Sequence, residues 1–152
     1  MEYFILRNFT VENLFKNLNA NYSGYGDISY IPSDVKSYVW FYLPSIKMKQ
    51  NEFISEIYDF QSKFNLFFQQ IPATKTVIAF TLNSLFDIVY ENGNFSLKQA
   101  VDSYNNFLID TASKNDNLKI VDLNEFQKQS EIPLLDWKYY YISQSLITPK
   151  LN

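Results

Sequence analysis

Two runs of seven residues, each apolar almost throughout, restrict the fold of this chain more than any other feature. The runs are Ser37–Leu43, which ends at Pro44, and Thr76–Leu82. A strand that is apolar without alternation is typical of burial on both faces, as in the middle of a parallel sheet. The two runs therefore predict two interior strands of such a sheet.

Helical periodicity appears between and around these runs. A stripe of apolar residues three and four apart follows the first run and ends before Pro72; it consists of Phe53, Ile57, Phe60, Phe64, Phe67 and Ile71. A second stripe begins at Ser96-Leu97-Lys98-Gln99, which has the pattern of a capping box; it consists of Leu97, Val101, Tyr104 and Leu108. A shorter helix is expected after Thr10, its N-cap, with Val11, Leu14, Phe15 and Leu18 on its apolar face.

Three further strands are expected. Tyr3–Leu6 opens the chain, Leu118–Val121 comes last, and Ile28–Ile31 is a weak second strand after the loop Ser23–Asp27. The segment 83–95 is ambiguous between a helix and a hairpin, and 124–129 is expected to be a short helix. Strands that alternate with helices indicate a single α/β domain over residues 1–152, with a central, mostly parallel sheet of about five strands and helices on both faces.

The composition excludes several classes of function. The chain has no histidine and no cysteine, so it lacks the serine–histidine and cysteine–histidine pairs of nucleophilic catalysis. Its net charge is −3 and its lysines are scattered singly, so no nucleic-acid partner is expected. No apolar run approaches the length of a membrane helix, and the N-terminus lacks the features of a signal peptide. We therefore expect a cytoplasmic protein.

Motifs for cofactors are missing as well. The sequence has no glycine-rich phosphate loop and no G-x-G-x-x-G pattern. Its carboxylates occur singly, without the spacing of a metal site. No cofactor and no metal are predicted.

Candidate site residues follow from the geometry of parallel sheets, in which ligands bind beyond the carboxyl ends of the strands. This rule nominates the polar residues that follow each predicted strand, namely Arg7, Asn8, Thr10, Ser45, Thr81, Asn83 and Asp122. Arg7 is the only arginine, and a guanidinium can grip a carboxylate or phosphate with two hydrogen bonds. It could instead pair with Glu12 or Asp122 and fix the first turn.

The other candidates also have structural alternatives. Asp122 could orient a polar network or cap the next helix, and Asn83 could donate to an oxyanion or belong to a turn. Asp136 and Lys138 lie in an aromatic segment near the C-terminus. They could contact a ligand, or form a surface ion pair on a segment that meets a partner.

Four stretches, taken in order, resemble the FkbH-like family. Leu6-Arg7-Asn8-Phe9-Thr10-Val11-Glu12 is similar to its opening Arg-[Ser/Asn]-Phe-Thr-x-Glu segment. Ser103-Tyr104-Asn105-Asn106-Phe107-Leu108 is similar to its aromatic-Asn helix, and Leu118-Lys119-Ile120-Val121-Asp122-Leu123 to its last strand. Asp136-Trp137-Lys138-Tyr139-Tyr140, followed by Ile142-Ser143-Gln144-Ser145, loosely resembles its closing signature.

The resemblance spans residues 3 to about 145 and implies a three-layer, flavodoxin-like domain related to SGNH hydrolases. In full-length relatives this domain precedes a haloacid-dehalogenase-like domain. The pair is linked to making a glyceryl unit on an acyl carrier protein, in polyketide or surface-glycan pathways. The expected partners are therefore an acyl carrier protein or a haloacid-dehalogenase-like protein.

The chain departs from the family where catalysis would lie. The Asp-x-Asp-x-[Thr/Val] phosphatase motif is absent, and Gly26-Asp27-Ile28-Ser29 is not a Gly-Asp-Ser block after the first strand. Lys138 replaces an expected arginine. The chain is therefore expected to be an excised domain or a shortened, free-standing relative.

Three functions remain open at this stage. The first is a non-hydrolytic accessory domain that binds a carrier protein or a small acyl or phosphorylated ligand. The second is an acyltransferase or esterase with an unorthodox nucleophile, Ser45 or Thr81, and a lysine or aspartate base. The third is a purely structural interaction module.

Overall fold

The structure is a computed structural model that describes residues 2–15, 18–44, 50–82 and 95–123. Five strands and three helices alternate along these ranges. In chain order they are β1 (Tyr3–Arg7), α1 (Glu12–Phe15), β2 (Ala20–Tyr25), β3 (Ser37–Phe41), α2 (Gln50–Phe68), β4 (Thr76–Phe80), α3 (Phe95–Lys114) and β5 (Leu118–Val121).

The five strands form one sheet in the order β2-β1-β3-β4-β5. Every neighbouring pair is parallel, and this confirms the predicted α/β fold class. β1 and β3 pair without a shift, from Tyr3 beside Ser37 to Arg7 beside Phe41. The order is that of flavodoxin-like sheets, in which the chain reverses its direction of winding between β1 and β3.

One face of the sheet packs against α2 and α3 through the aromatic residues of β3. Trp40 is fully buried, lies edge-on to Phe64 and is stacked on Phe67 at a ring-centroid distance of 5.4 Å. Its indole Nε1 donates a hydrogen bond of 3.0 Å to the hydroxyl of Tyr104 on α3. A single side chain of β3 therefore contacts both helices of this layer.

The opposite face carries a second aromatic cluster. Phe41 stacks on Phe80 of β4 at 4.1 Å and meets Phe9 and Phe15 edge-on. Phe9 and Phe15 precede and end α1, so this short helix covers the second face near β1. The two faces of β3 are thus both buried, as the unbroken apolar run predicted.

The predicted second strand was wrong. β2 is Ala20–Tyr25, which overlaps the predicted loop, and no strand is formed by Ile28–Ile31. β2 lies at the edge of the sheet and pairs with β1 alone, so polar residues such as Asn21 are tolerated there. The register of β1 and β2 shifts between Ile5 and Arg7, and this irregularity accommodates the glycine that had indicated a loop.

The remaining elements largely follow the sequence pattern. Both long helices bury the described members of the expected stripes, which are Ile57, Phe60, Phe64 and Phe67 on α2 and Val101, Tyr104 and Leu108 on α3. α1 ends at Phe15 and Leu18 is exposed, so the first helix is shorter than predicted. α3 begins at Phe95, before the capping-box pattern. The predictions for 83–94 and 124–129 lie outside the described residues.

Two asparagine side chains form hydrogen bonds with the backbone just beyond the carboxyl ends of interior strands. Asn8, after β1, exchanges two hydrogen bonds with the backbone of Leu43, one to its N–H at 2.9 Å and one to its C=O at 2.6 Å. Asn105, on α3, pairs in the same way with Leu82, at 2.8 and 3.3 Å. Each side-chain amide thus satisfies both the backbone N–H and the backbone C=O of a residue that lies two positions beyond the end of a strand.

Replacing Asn105 with alanine is expected to destabilise the fold. Asn105→Ala leaves the N–H and C=O of buried Leu82 without these partners, which costs about 1–3 kcal/mol. Asn106→Ala is the matched control, because Asn106 is an exposed neighbour on the same helix and its loss should cost no more than about 0.5 kcal/mol. Urea denaturation measures both; equal effects for the two variants would contradict this role of Asn105.

Candidate functional site

A pocket of about 210 Å³ lies at the carboxyl ends of β1 and β3. This is the point where the winding of the sheet reverses, the usual place of ligand sites in open parallel sheets. We call it the switch pocket. The described residues that line it are Asn8, Tyr25, Gly26, Tyr42, Glu56, Asp59, Phe60 and Lys63.

Tyr42 lines the switch pocket and has a buried hydroxyl. Its ring stacks on Trp40 at a ring-centroid distance of 4.0 Å and meets Phe60 edge-on, and the residue is only 1% exposed. Among the described residues, its hydroxyl is the one buried side-chain polar atom without a hydrogen-bond partner. Such a group carries a desolvation penalty that a ligand would relieve.

The Tyr42 hydroxyl is a neutral donor. Burial raises the pKa of Tyr42, and the nearby carboxylates of Asp27 and Asp59 raise it further. Ionisation would place a negative charge in an apolar surrounding next to negative charges. The group therefore keeps its proton at neutral pH and offers it to an acceptor oxygen.

The charged part of the lining comes from α2. Glu56, Asp59 and Lys63 lie on its side facing the pocket. Lys63 Nζ lies 3.7 Å from a carboxylate oxygen of Asp59 and donates a hydrogen bond of 3.2 Å to the carbonyl of Gly26. The positive charge of Lys63 is thus already matched within the protein.

Gly26, the residue after the end of β2, also lines the switch pocket. Its φ of +69° lies in the left-handed region that favours glycine. Its N–H donates to the carbonyl of Arg7 at 2.8 Å. The turn therefore ties the end of β2 to the end of β1 beside the pocket.

Arg7 lies beside the switch pocket, in a cluster of its own. Its side chain is 12% exposed and forms an ion pair with Glu12, while Nε donates to the carbonyl of Ser23 at 2.8 Å. The guanidinium carbon lies 5.3 Å from the ring centre of Tyr22 and 4.6 Å from that of Tyr25. Of the two ion-pair partners considered, Glu12 is the one that Arg7 contacts.

The other predicted site residues are distributed along the carboxyl edge. The Thr10 hydroxyl is hydrogen-bonded to the Tyr25 hydroxyl at 2.6 Å, next to the Arg7 cluster. Thr81 is buried after β4, and its hydroxyl accepts a hydrogen bond from the N–H of Leu123. Asp122 is exposed after β5. The structure thus brings Arg7, Asn8 and Thr10 together, and leaves Thr81 and Asp122 at the other half of the sheet.

Four of the nominated residues lie outside the described ranges, namely Ser45, Asn83, Asp136 and Lys138. Among the described ones, Asn8 alone lines the switch pocket, and its amide is occupied by Leu43. No three carboxylates in the described part of the chain are placed to hold a metal ion.

Sequence reasoning missed most of the pocket lining. Tyr42 belongs to the apolar run that predicted a buried strand, so it was interpreted as core. β3 ends at Phe41, and the rule of strand ends, applied to the next residue, would have nominated Tyr42. Glu56, Asp59 and Lys63 are ordinary helix residues in sequence, and only the packing of α2 brings them to the pocket.

Comparison with known proteins supports the fold. No family model matches the chain, and no curated protein is a significant match. A solved structure is similar. It is described as the N-terminal part of the protein BF1531 from Bacteroides fragilis, containing a phosphatase domain and complexed with Mg.

The similarity to that structure is one of fold. Its TM-score is 0.58 at 15% sequence identity, and it covers 98% of this chain. The chain corresponds to 47% of the solved chain, and so spans about half of its length. The described chain therefore resembles the N-terminal region of a phosphatase-domain protein. Neither long helix in the described ranges has the apolar stretch that crossing a membrane requires.

Two tyrosine-to-phenylalanine changes on either side of Trp40 should have opposite effects on stability. Tyr42→Phe removes an unpaired buried hydroxyl and is expected to raise the free energy of unfolding by about 1 kcal/mol. Tyr104→Phe removes the acceptor of the Trp40 N–H and is expected to lower it by about 1–3 kcal/mol. Denaturant unfolding measures the free energy of unfolding of each variant.

The two variants lose the same atom from the same residue type, so each is the control for the other. A Tyr42→Phe protein as destabilised as Tyr104→Phe would show that the Tyr42 hydroxyl has a structural partner, and would contradict its assignment to a ligand.

Proposed function

We propose that this chain, residues 1–152, is a non-hydrolytic accessory domain of the FkbH-like type that binds a small hydroxylated or acyl ligand in the switch pocket. The observation that carries the proposal is that Tyr42 lines the pocket and that its buried hydroxyl has no hydrogen-bond partner within the described ranges. The absence of histidine and cysteine from the whole sequence supports binding rather than hydrolysis.

The volume of the switch pocket favours a small ligand. At about 210 Å³ it is smaller than the roughly 300–1,000 Å³ of sites for drug-sized molecules. It suits a unit of a few carbon atoms, or the tip of a longer acyl chain presented by a carrier protein. Tyr42 would donate to a carbonyl or hydroxyl oxygen of that unit.

The charges of the described lining favour a neutral ligand over a phosphorylated one. The charged residues of the described lining are two carboxylates, Glu56 and Asp59, and one ammonium group, Lys63, which lies 3.7 Å from Asp59. Like charges a few ångströms apart repel strongly at a partly buried site. Carboxylates instead accept hydrogen bonds from hydroxyl groups, so the hydroxyls of a glyceryl-like unit match the lining.

The expected partner is a haloacid-dehalogenase-like phosphatase domain, together with an acyl carrier protein. The structural neighbour contains a phosphatase domain, and this supports such a pairing for the present chain. In that arrangement the partner would supply the phosphoryl chemistry, and this domain would hold the acyl or glyceryl unit for synthesis of a polyketide or surface glycan.

Trp40 provides a direct reading of ligand binding. The chain has two tryptophans, so Trp137→Phe leaves Trp40, which stacks on Tyr42, as the only one. Titration of this variant with glycerol is expected to change the Trp40 fluorescence with saturation, and Tyr42→Phe should weaken the apparent affinity about ten-fold, the loss of one hydrogen bond. Glycerol 3-phosphate should bind more weakly than glycerol.

The same fluorescence titration is repeated with a purified acyl carrier protein, with and without an attached acyl group. Absence of any saturable response to glycerol, to glycerol 3-phosphate and to both forms of the carrier would contradict the proposed function. A response that Tyr42→Phe leaves unchanged would place the ligand elsewhere.

A further inference from the structure

One side chain belongs both to the switch pocket and to the Arg7 cluster. Tyr25 lines the pocket, and its ring covers the Arg7 guanidinium at 4.6 Å. The guanidinium carbon also lies 5.3 Å from the ring centre of Tyr22. The ring of Tyr25 is therefore the wall that the pocket and the only arginine of the chain share.

Arg7 keeps donors that its present contacts do not use. Nε is bonded to Ser23 and Nη1 to Glu12; within the described ranges, Nη2 has no hydrogen-bond acceptor. A guanidinium offers five N–H donors in a planar fork that matches a carboxylate. Glu12 is 48% exposed, so its carboxylate can turn towards solvent if a second carboxylate approaches.

The side chain of Tyr25 is largely exposed, although it contacts the mostly buried guanidinium of Arg7. It is 60% exposed, and its hydroxyl has one hydrogen bond, to Thr10. Two of the three glycines in the sequence, Gly24 and Gly26, flank it. The β1–β2 register is irregular at this point. The backbone here is held by the hydrogen bond from Gly26 N–H to Arg7 C=O, so the exposed side chain of Tyr25 is the part that can move.

We propose that Tyr25 is a movable wall that sets the ligand specificity of the switch pocket. With the ring over Arg7, the pocket presents the Tyr42 hydroxyl and the α2 carboxylates to a neutral ligand. With the ring turned outward, the pocket extends to Arg7 and takes a small hydroxy acid, its carboxylate on Arg7. The inference rests on the proposed function, because it extends the same pocket.

The single arginine makes the test specific. In the ¹⁵N-labelled full chain, the guanidinium Nε–Hε region of the NMR spectrum holds one cross peak, from Arg7. Wild type and Tyr25→Ala are titrated with lactate and with propane-1,2-diol, which share a skeleton and differ in the carboxylate. Tyr25→Ala should bind lactate at Arg7 about ten-fold more tightly than wild type, equal to about 1.4 kcal/mol, and its preference for lactate over the diol should rise.

Tyr30→Ala is the matched control. Tyr30 is another exposed tyrosine near β2, but it packs on Phe4 and lines a different cavity; lactate should affect this variant as it does wild type. An Arg7 cross peak that lactate shifts no more in Tyr25→Ala than in wild type would overturn the proposal, as would an equal gain in Tyr30→Ala.

Tyr25→Phe covers the case in which the alanine variant fails to fold. It keeps the ring and removes only the hydrogen bond to Thr10, so it should gain part of the lactate affinity, and no gain would overturn the proposal. All samples also carry Trp137→Phe, so the fluorescence of Trp40 is read in them as well. A saturable response to the diol without any gain at Arg7 contradicts the movable wall alone, whereas loss of both responses contradicts the proposed function as well.

Discussion

The burial of Trp40 is the interaction on which the rest of the structure depends. Its indole is stacked between Tyr42 and Phe67, at 4.0 and 5.4 Å, and hydrogen-bonded to Tyr104. These contacts join the central strand to both helices of one layer. They also fix the direction of the Tyr42 ring, whose hydroxyl has no hydrogen-bond partner in the described part of the chain.

The polar groups at that edge fall into two kinds. Asn8 and Asn105 each hydrogen-bond to the backbone beyond a strand end through both the oxygen and the nitrogen of the side-chain amide, and these bonds stabilise the edge. Tyr42 and Arg7 retain donors that the described protein does not use. This contrast is the reason for the proposal that a ligand binds at the first half of the sheet, around β1 and β3.

The interior of the sheet was predictable because each residue of an interior strand is buried whichever face it points to. The runs that became β3 and β4 therefore left an unbroken apolar signal. β2 has no such apolar signal, because it lies at the edge of the sheet and most of its residues are exposed or half-buried. Its Gly24 is also typical of a loop. The choice of Glu12 over Asp122 as the partner of Arg7 depends on strand order, which local sequence does not encode.

The candidate site was predictable only in part. The rule of strand ends found Asn8 and its neighbours Arg7 and Thr10, because it needs nothing beyond the position of a strand. It missed Tyr42, since an aromatic residue in an apolar run has every sequence property of a core residue. The distinguishing property is an unpaired hydroxyl, and that exists only once the chain is folded.

A high-resolution crystal structure, from crystals grown without polyols and then soaked with glycerol, tests the central claim most directly. The account predicts a glycerol oxygen at about 2.7 Å from Tyr42 Oη, with further hydroxyls facing the carboxylates of α2. A Tyr42 hydroxyl bonded to a protein acceptor, with no glycerol in the switch pocket, would contradict it.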